Sequence, residues 1–497
     1  MDTRNHRWES ALVNVAKPLQ AIDSKANKVF CNNNSHYYRG NFQRDRDRIL
    51  YTTSFRRLIG KTQIFNVGMG EHYRNRLTHT LEVMQIATTI SKCLGLNVEL
   101  TEAIALGHDI GHTPFGHVGE RALNYVMNNC DILDKFGVEL IKGQKGFKHN
   151  LQALRILCNI EKKSRDYDGI DITTDTLWGI INHTDKKWEE CKKVSKDGLC
   201  LMRRDRQRFA CVYKNNCPAL QDVDFYEQYL NEIPTDSWSF ESYVVKYADE
   251  IAQRHHDIED GIIAEIFEPE SFAVEFDKAF QGASCYQPRV KAELEKLLAE
   301  KDIEYFLPLL SRFIVNFYVT NYIMSVAKNL KKDIIDKYSI KNSDDFYVNK
   351  DKIWEDNKDN LDDLMQFSEG FRQPDQKVKK LLEKRIINSQ KAQLMDGKGT
   401  FIVRNLFEAY LYTPNQLPDN IITKLFTDYK KIKRSCPFSK YEIGGLRYDL
   451  EDQRITKDSL FLSNLCRNIC DYIASMTDRY ALKQYEKLYG SNILSIK

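Results

Sequence analysis

Apolar residues recur at helical spacing along most of the chain. From Leu77 to Leu94, one stripe carries His79, Val83, Ile86 and Ile90 and another carries Leu77, Leu81 and Met84. That spacing predicts a helix buried on most sides. Thr101–Asp109 reads as a second, short helix. Thr113 before Pro114 looks like an N-cap followed by proline at the first helical position, predicting a third helix through Tyr125. Leu151–Ile160 and Ser242–Ile266 continue the helical pattern. Period-two alternation is rare, and Thr400–Val403 and Tyr441–Tyr448 are the better strand candidates. The pattern predicts a mainly α protein.

Two stretches interrupt it. Lys328–Asn360 is rich in Lys, Asp and Asn and poor in sustained apolar pattern, predicting a linker or an exposed helical arm. It suggests an N-terminal segment over 1–35, a core over 36–330 and a mostly helical C-terminal region over 331–497, regulatory or oligomerising. Lys186–Asn216 is similarly polar and reads as an insertion or surface loop. No run of about 18 apolar residues appears, so no membrane span is expected. The first twenty residues lack the apolar core of a secretory signal.

Composition narrows this only slightly. The 497 residues are 42% hydrophobic and 29% charged, an ordinary globular balance that excludes a disordered chain. Twelve cysteines without a C-x-x-C pair suit free thiols in a reducing cytoplasm, although Cys191, Cys200, Cys211 and Cys217 cluster loosely. The net charge of +3 is uninformative, but between Arg39 and Arg76 nine Lys or Arg face three Asp or Glu. That local excess suits a polyanion such as a triphosphate, or is a solvated basic surface.

The candidate chemistry lies in GHDIGHTPFGHVGE, from Gly107 to Glu120. It holds three of the chain's eleven histidines. His108 and Asp109 can converge on one ion, and His112 would share a face with His108 if a helix continued. His79, in RLTHTLEV, and Asp249, in VVKYADEIAQRHHDIED, are metal-capable residues inside apolar helical patterns, where an unpaired polar group is costly. Two imidazoles and two carboxylates leave open positions on a six-coordinate divalent ion for water and a phosphate oxygen. Mixed nitrogen and oxygen donors favour Mn, Fe, Co, Ni or Zn over Mg on affinity, with availability deciding.

The order His, His-Asp, distant Asp resembles the HD-domain superfamily of metal phosphohydrolases. Within it, the chain is similar to the deoxyguanosinetriphosphate triphosphohydrolase (dGTPase) family. The likeness is carried by FQRDRDRI (42–49), FRRLIGKTQIF (55–65), HYRNRLTHTLEV (72–83), LTEAIALGHDIGHTPFGHVGE (100–120), FKHNLQALRIL (147–157) and ADEIAQRHHDIED (248–260). It implies a helical catalytic fold and hydrolysis of a deoxynucleoside triphosphate to deoxynucleoside and inorganic triphosphate. It also implies a homo-oligomer, hexamer or tetramer, with nucleotide activators at subunit interfaces in several members.

Release of intact triphosphate breaks the bond between the α-phosphorus and the 5′ oxygen, and the leaving alkoxide needs a proton. His117 is the candidate general acid, with Glu120 one turn on to hold its tautomer. His112 would contact the α-phosphate; the resemblance gives these three positions comparable roles. It also implies that Gln63 and Asp257 bind the sugar 3′-hydroxyl, that Arg76 pairs with phosphate and that His149 belongs to the active site. Gln253 stands where many relatives carry Tyr, which packs beneath the deoxyribose carbon lacking a hydroxyl. Asp249, Gln253 and Asp257 make one stripe about 12 Å long on a helix. Two other readings compete: an HD phosphodiesterase for another nucleotide, and a nucleotide sensor or single-strand nucleic-acid binder on the basic Arg39–Arg76 face.

Overall fold

A computed structural model of the chain describes residues 13–26, 38–63, 74–128, 132–162, 165, 167–184, 223–300, 302–432, 443–451 and 458–490. Among them helices predominate, as expected. Extended pairing is confined to two isolated bridges, Thr62 with Asn75 and Lys162 with Gly169. The segment 186–216 and its four cysteines lie outside the described residues.

The elements that position the site are α1 (Arg76–Leu94), α2 (Val98–Gly107), α3 (Gly116–Val126), α4 (His149–Arg155), α5 (Thr174–Asn182) and α6 (Phe240–Ile263). Asn75 caps α1, its side chain accepting from the Thr78 amide. The helix ends where Gly95, at φ +83°, lets the Gly95 and Leu96 amides both reach the Ser91 carbonyl. Asn97 caps α2 in the same way, accepting from Leu100. Its own amide donates to buried Glu241 at the start of α6. These helices close over one core in which Val83, Ile86, Ile90, Leu100, Val244 and Ala248 are wholly or nearly wholly buried.

A second core forms between α3 and three later helices, α7 (Gln390–Tyr412), α8 (Ser459–Ala474) and α9 (Asp478–Tyr489). Leu123 and Val126 of α3 meet Leu406 and Phe407 of α7 and Ile469 and Ile473 of α8 there. Each such buried side chain stabilises by about 1.5–3 kcal/mol relative to exposure. The helix carrying His117 and Glu120 is therefore built into the second core, where its Ala122, Leu123 and Val126 are buried.

Four expectations need correction. Thr400–Val403 lies inside α7, where Ile402, Val403, Leu406 and Tyr410 are buried at helical spacing; four alternating residues were too short a window. Ile443–Asp449 is also helical, although Tyr441 and Glu442 fall outside the described residues. The polar stretch 328–360 is no linker. A π-turn over Leu330–Asp336 and a helix over Ser343–Asn357 bury Leu330, Ile334, Phe346 and Ile353 in the first core. Finally, α3 begins at Gly116 instead of Pro114. Phe115 sits at φ +61° with its amide donating to Asp478, so the chain turns sharply before the helix starts.

Candidate metal centre and active site

The helix α2 stops at Gly107, and residues 108–111 follow as tight turns instead of a continued helix. His112 thus reaches the site by a turn, its amide bonded to the Asp109 carbonyl. The turn lies directly on α4. A Cβ on Gly111 would sit 1.9 Å from the His149 carbonyl oxygen and 2.5 Å from the Ala153 nitrogen, so no other residue fits without moving the backbone.

All four predicted ligands come together. His79 Nε2 lies 2.9 Å from Asp249 Oδ1 and 3.9 Å from Asp109 Oδ2. His108 Nε2 lies 3.7 Å from Asp109 Oδ1 and 3.9 Å from Asp249 Oδ1. The His108 Nδ1 is 2.6 Å from the Ala105 carbonyl, which can only accept, so the ring proton sits on Nδ1. Its Nε2 is buried, has no hydrogen-bond partner and presents a lone pair to the two carboxylates. Burial alone would raise Asp249, but the hydrogen bond and charge of His79 outweigh it and hold the carboxyl well below the usual carboxylate range. Asp109 is likewise held low against burial, chiefly by the Arg76 guanidinium. His79, His108 and Asp109 form a group that could hold a metal ion, and Asp249, 2.9 Å from His79 and 3.9 Å from His108, adjoins it, a donor set that fits a divalent cation.

The predicted acid–base group is assembled beside it. Glu120 is buried, and each of its oxygens serves a histidine. Oε1 accepts from the His149 amide and from His149 Nδ1, both at 2.8 Å, and Oε2 lies 3.1 Å from His117 Nδ1. His117 is the exposed member, with 55% of its side chain accessible. The His112 ring stacks on that of His149 with centroids 3.8 Å apart. Its Nε2 is 3.1 Å from Asp109 Oδ1, and its Nδ1 is buried without a partner. Burial, then the Arg76 charge, push His112 well below the ordinary imidazole value, so it is neutral.

Arg76 bonds Asp109 Oδ2 through NH1 at 2.7 Å, leaving Nε and NH2 buried and unpartnered. The backbone bridge between Thr62 and Asn75 brings Gln63 nearby; its Oε1 is buried without a partner. Asp257 is half-buried, and desolvation pushes its carboxyl up to about 7. Arg254, three residues earlier on α6, pairs with Asp375 at 3.0 and 3.1 Å. Gln253 is exposed between Asp249 and Asp257. The basic run of 39–76 is largely consumed in ion pairs: Arg39 with Asp47, Arg46 with Glu102, Arg48 with Asp171 and Arg74 with Glu82. It forms internal pairs more than an open basic face.

Sequence reasoning missed several residues here. His183, after α5, places Nε2 3.4 Å from His149 Nε2; a lone histidine ending an apolar helix gave no spacing signal. His256 and Glu82 back His79. Asp478, far along the chain, accepts from the Thr62 and Phe115 amides at 2.9 and 2.8 Å. Next to it, buried Lys61 donates to the His112 and Ala474 carbonyls, and burial with the Arg76 charge pushes its ammonium down to about 7. The loops bearing Gln63 and His112 are thus pinned by the junction of α8 and α9.

This helical scaffold, with its paired His-Asp turn facing a histidine and a distant aspartate, is that of an HD-domain protein. The HD domain profile matches residues 76–216, and the phosphohydrolase-associated domain profile matches 365–435 and 453–487. Whole-chain similarity goes further. The chain is 32% identical over 466 residues to the deoxyguanosinetriphosphate triphosphohydrolase-like protein of Rickettsia prowazekii (strain Madrid E), covering 93% of this chain and 94% of that one. Its like-named relative in Rickettsia typhi (strain ATCC VR-144 / Wilmington) is 32% identical over 458 residues, with 91% and 92% covered. That of Rickettsia bellii (strain RML369-C) is 31% identical over 465 residues, with 92% and 94% covered. The chain belongs to the dGTPase-like family of HD-domain phosphohydrolases. Among the described residues no helix is long and apolar enough to cross a membrane.

Proposed function

We propose that the protein is a metal-dependent deoxynucleoside triphosphate triphosphohydrolase, converting dGTP, or dNTPs generally, to deoxynucleoside and inorganic triphosphate. One observation carries the reading: an orphaned His108 Nε2 among His79, Asp109 and Asp249, with the His117–Glu120 pair on the adjoining helix. A divalent ion held by His79, His108, Asp109 and Asp249, Mn, Mg or Fe on grounds of availability and Zn, Co or Ni as alternatives, would neutralise charge at the α-phosphate and acidify water there. His112 contacts an α-phosphate oxygen, which accepts from a ring N–H. Arg76 offers its free NH2 to the phosphates. His117 delivers a proton to the departing 5′ oxygen as water adds at the α-phosphorus. Glu120 orients the His117 imidazolium, accepting its Nδ1–H so that the Nε2–H that is given up faces outward, and fixes His149 behind it. Gln63 and Asp257 receive the sugar 3′-hydroxyl, and Gln253 borders the 2′ carbon. The α-phosphorus is the centre addressed, because a general acid is needed only where an alkoxide leaves.

The protein is proposed to work in the cytoplasm as a homotetramer or homohexamer, with nucleotide as activator. The test is a product assay with each dNTP, singly and in mixtures, in Mn²⁺ or Mg²⁺. Triphosphate is the expected product; pyrophosphate or orthophosphate in its place would rule the reaction out. A mixture faster than the sum of its parts is the expected mark of activation.

A further inference from the structure

Two rungs of side chains join α1 to α6. On α1, His79 and Glu82 are three residues apart and so lie on successive turns of one face; on α6, Asp249 and His256 are seven apart, two turns along one face. The first rung is His79 Nε2 to Asp249 Oδ1 at 2.9 Å. The second is Glu82 Oε2 to His256 Nε2. A third contact ties the rungs together: His79 Nδ1 lies 3.2 Å from His256 Nδ1. His256 is fully buried, and Arg74 Nε holds the other Glu82 oxygen at 3.2 Å.

Two identical ring nitrogens face each other across that 3.2 Å, so one donates and the other accepts. The direction follows from the ends of the chain of contacts. A metal ligand uses a lone pair, so a neutral His79 coordinating through Nε2 carries its proton on Nδ1. His256 Nδ1 must then accept, which places the His256 proton on Nε2. There it meets a carboxylate, which can only accept. With a metal ion in place of the proton that His79 Nε2 otherwise shares with Asp249, every proton in the series has one partner.

We propose that Glu82 and His256 are positioning residues that fix the tautomer and ring orientation of His79 and make it a more basic ligand, through a carboxylate–imidazole–imidazole relay. The inference rests on His79 being a ligand, as read above. His255 flanks the relay, with Nδ1 3.8 Å from Glu82 Oε2, beyond hydrogen-bond reach, and Nε2 3.3 Å from Glu259. Groups that orient a ligating histidine in this way are worth about 10- to 100-fold in metal affinity.

The test measures Mn²⁺ and Co²⁺ affinity by chelator competition in the wild type, His256→Ala, Glu82→Ala and His256→Asn. The alanine variants are expected to bind about 10- to 100-fold more weakly. His256→Asn, whose amide oxygen can still accept from His79, is expected to recover part of the loss. The Co²⁺-loaded wild type needs no variant and reads the relay directly by proton NMR. It should show two hyperfine-shifted, slowly exchanging ring N–H signals, from His79 and from His108. His256→Ala should retain only the His108 signal. Equal affinity in wild type and alanine variants of unchanged helicity, or a wild type showing the His108 signal alone, would overturn the relay and leave the metal centre standing. A wild type that binds neither metal would overturn both.

Discussion

Glu120 divides its two oxygens between two histidines, and this makes it sensitive to a change of one atom. Glu120→Gln keeps the shape but offers a single accepting oxygen, so either His117 or His149 loses its anchor. We expect kcat to fall about 100-fold or more, the usual worth of an oriented general acid, with metal content unchanged by elemental analysis. Asp109→Ala should abolish both turnover and metal retention. In the proposed sugar site, exposed Gln253 stands where the family resemblance places a Tyr ring against a 2′-hydroxyl. Gln253→Tyr is expected to improve discrimination between dGTP and GTP by up to about 100-fold, the limit for a site that must reject one added hydroxyl by packing alone. Comparing kcat/KM for the two nucleotides checks it. His79 and Asp249 stood out as polar groups inside apolar helical patterns, Asp109 and Glu120 through the histidine-rich run 107–120, and Gln253 only through the family resemblance. Glu82, His183 and His256 did not, since each takes its meaning from a partner on another helix.

The elements show where reading by pattern holds and where it slips. Long amphipathic stretches such as α1 and α6 were found to within two or three residues, because periodicity accumulates over several turns. The start of α3 was misplaced because its determinant is Asp478, which no local rule contains. Close approach is equally silent in sequence. Gly111→Ala would drive a methyl into the His149 carbonyl; we expect a loss of about 1–3 kcal/mol and a larger loss of activity, read by chemical denaturation beside the product assay. Between α4 and α8, Asp471 accepts from Arg155 Nε at 2.9 Å and NH2 at 2.6 Å, and from Gln152 at 3.0 Å. Burial opposes ionisation of Asp471, but the Arg155 charge prevails and holds its carboxyl below the ordinary value of 3.8. A depressed folded value means the contribution is fully present above the unfolded pKa and vanishes as pH falls through the folded one. Asp471→Asn should therefore cost about 3–5 kcal/mol at pH 7, where it breaks a buried pair. The gap to wild type should close progressively below about pH 4, as urea midpoints measured across pH would show.

At the scale of the molecule, one helix ties the site to the second core. α3 offers Leu123 and Val126 to the second core while holding His117 and Glu120 at the site. Asp478→Ala should leave the four metal ligands in place but release the loops carrying Gln63 and His112. It strands the Thr62 and Phe115 amides at about 1–3 kcal/mol for each unpaired donor. We expect metal affinity to change little while kcat drops and KM rises, a separation that titration and steady-state kinetics together resolve. Sequence could not announce this dependence: the boundary suggested near residue 330 follows a polar stretch, whereas the physical coupling runs through buried carbonyls and one carboxylate.

The Thr62–Asp478 contact joins positions 416 apart, and that span has a consequence in time. A chain emerging from the ribosome has all four metal ligands once Asp249 is made. The loops at 61–63 and 112–116 stay unlatched until Asp478 follows. On the proposed function, a nascent protein could therefore capture its ion early, yet would gain a closed site only after Asp478 is made. The order of synthesis would then withhold the proposed activity from a half-built chain.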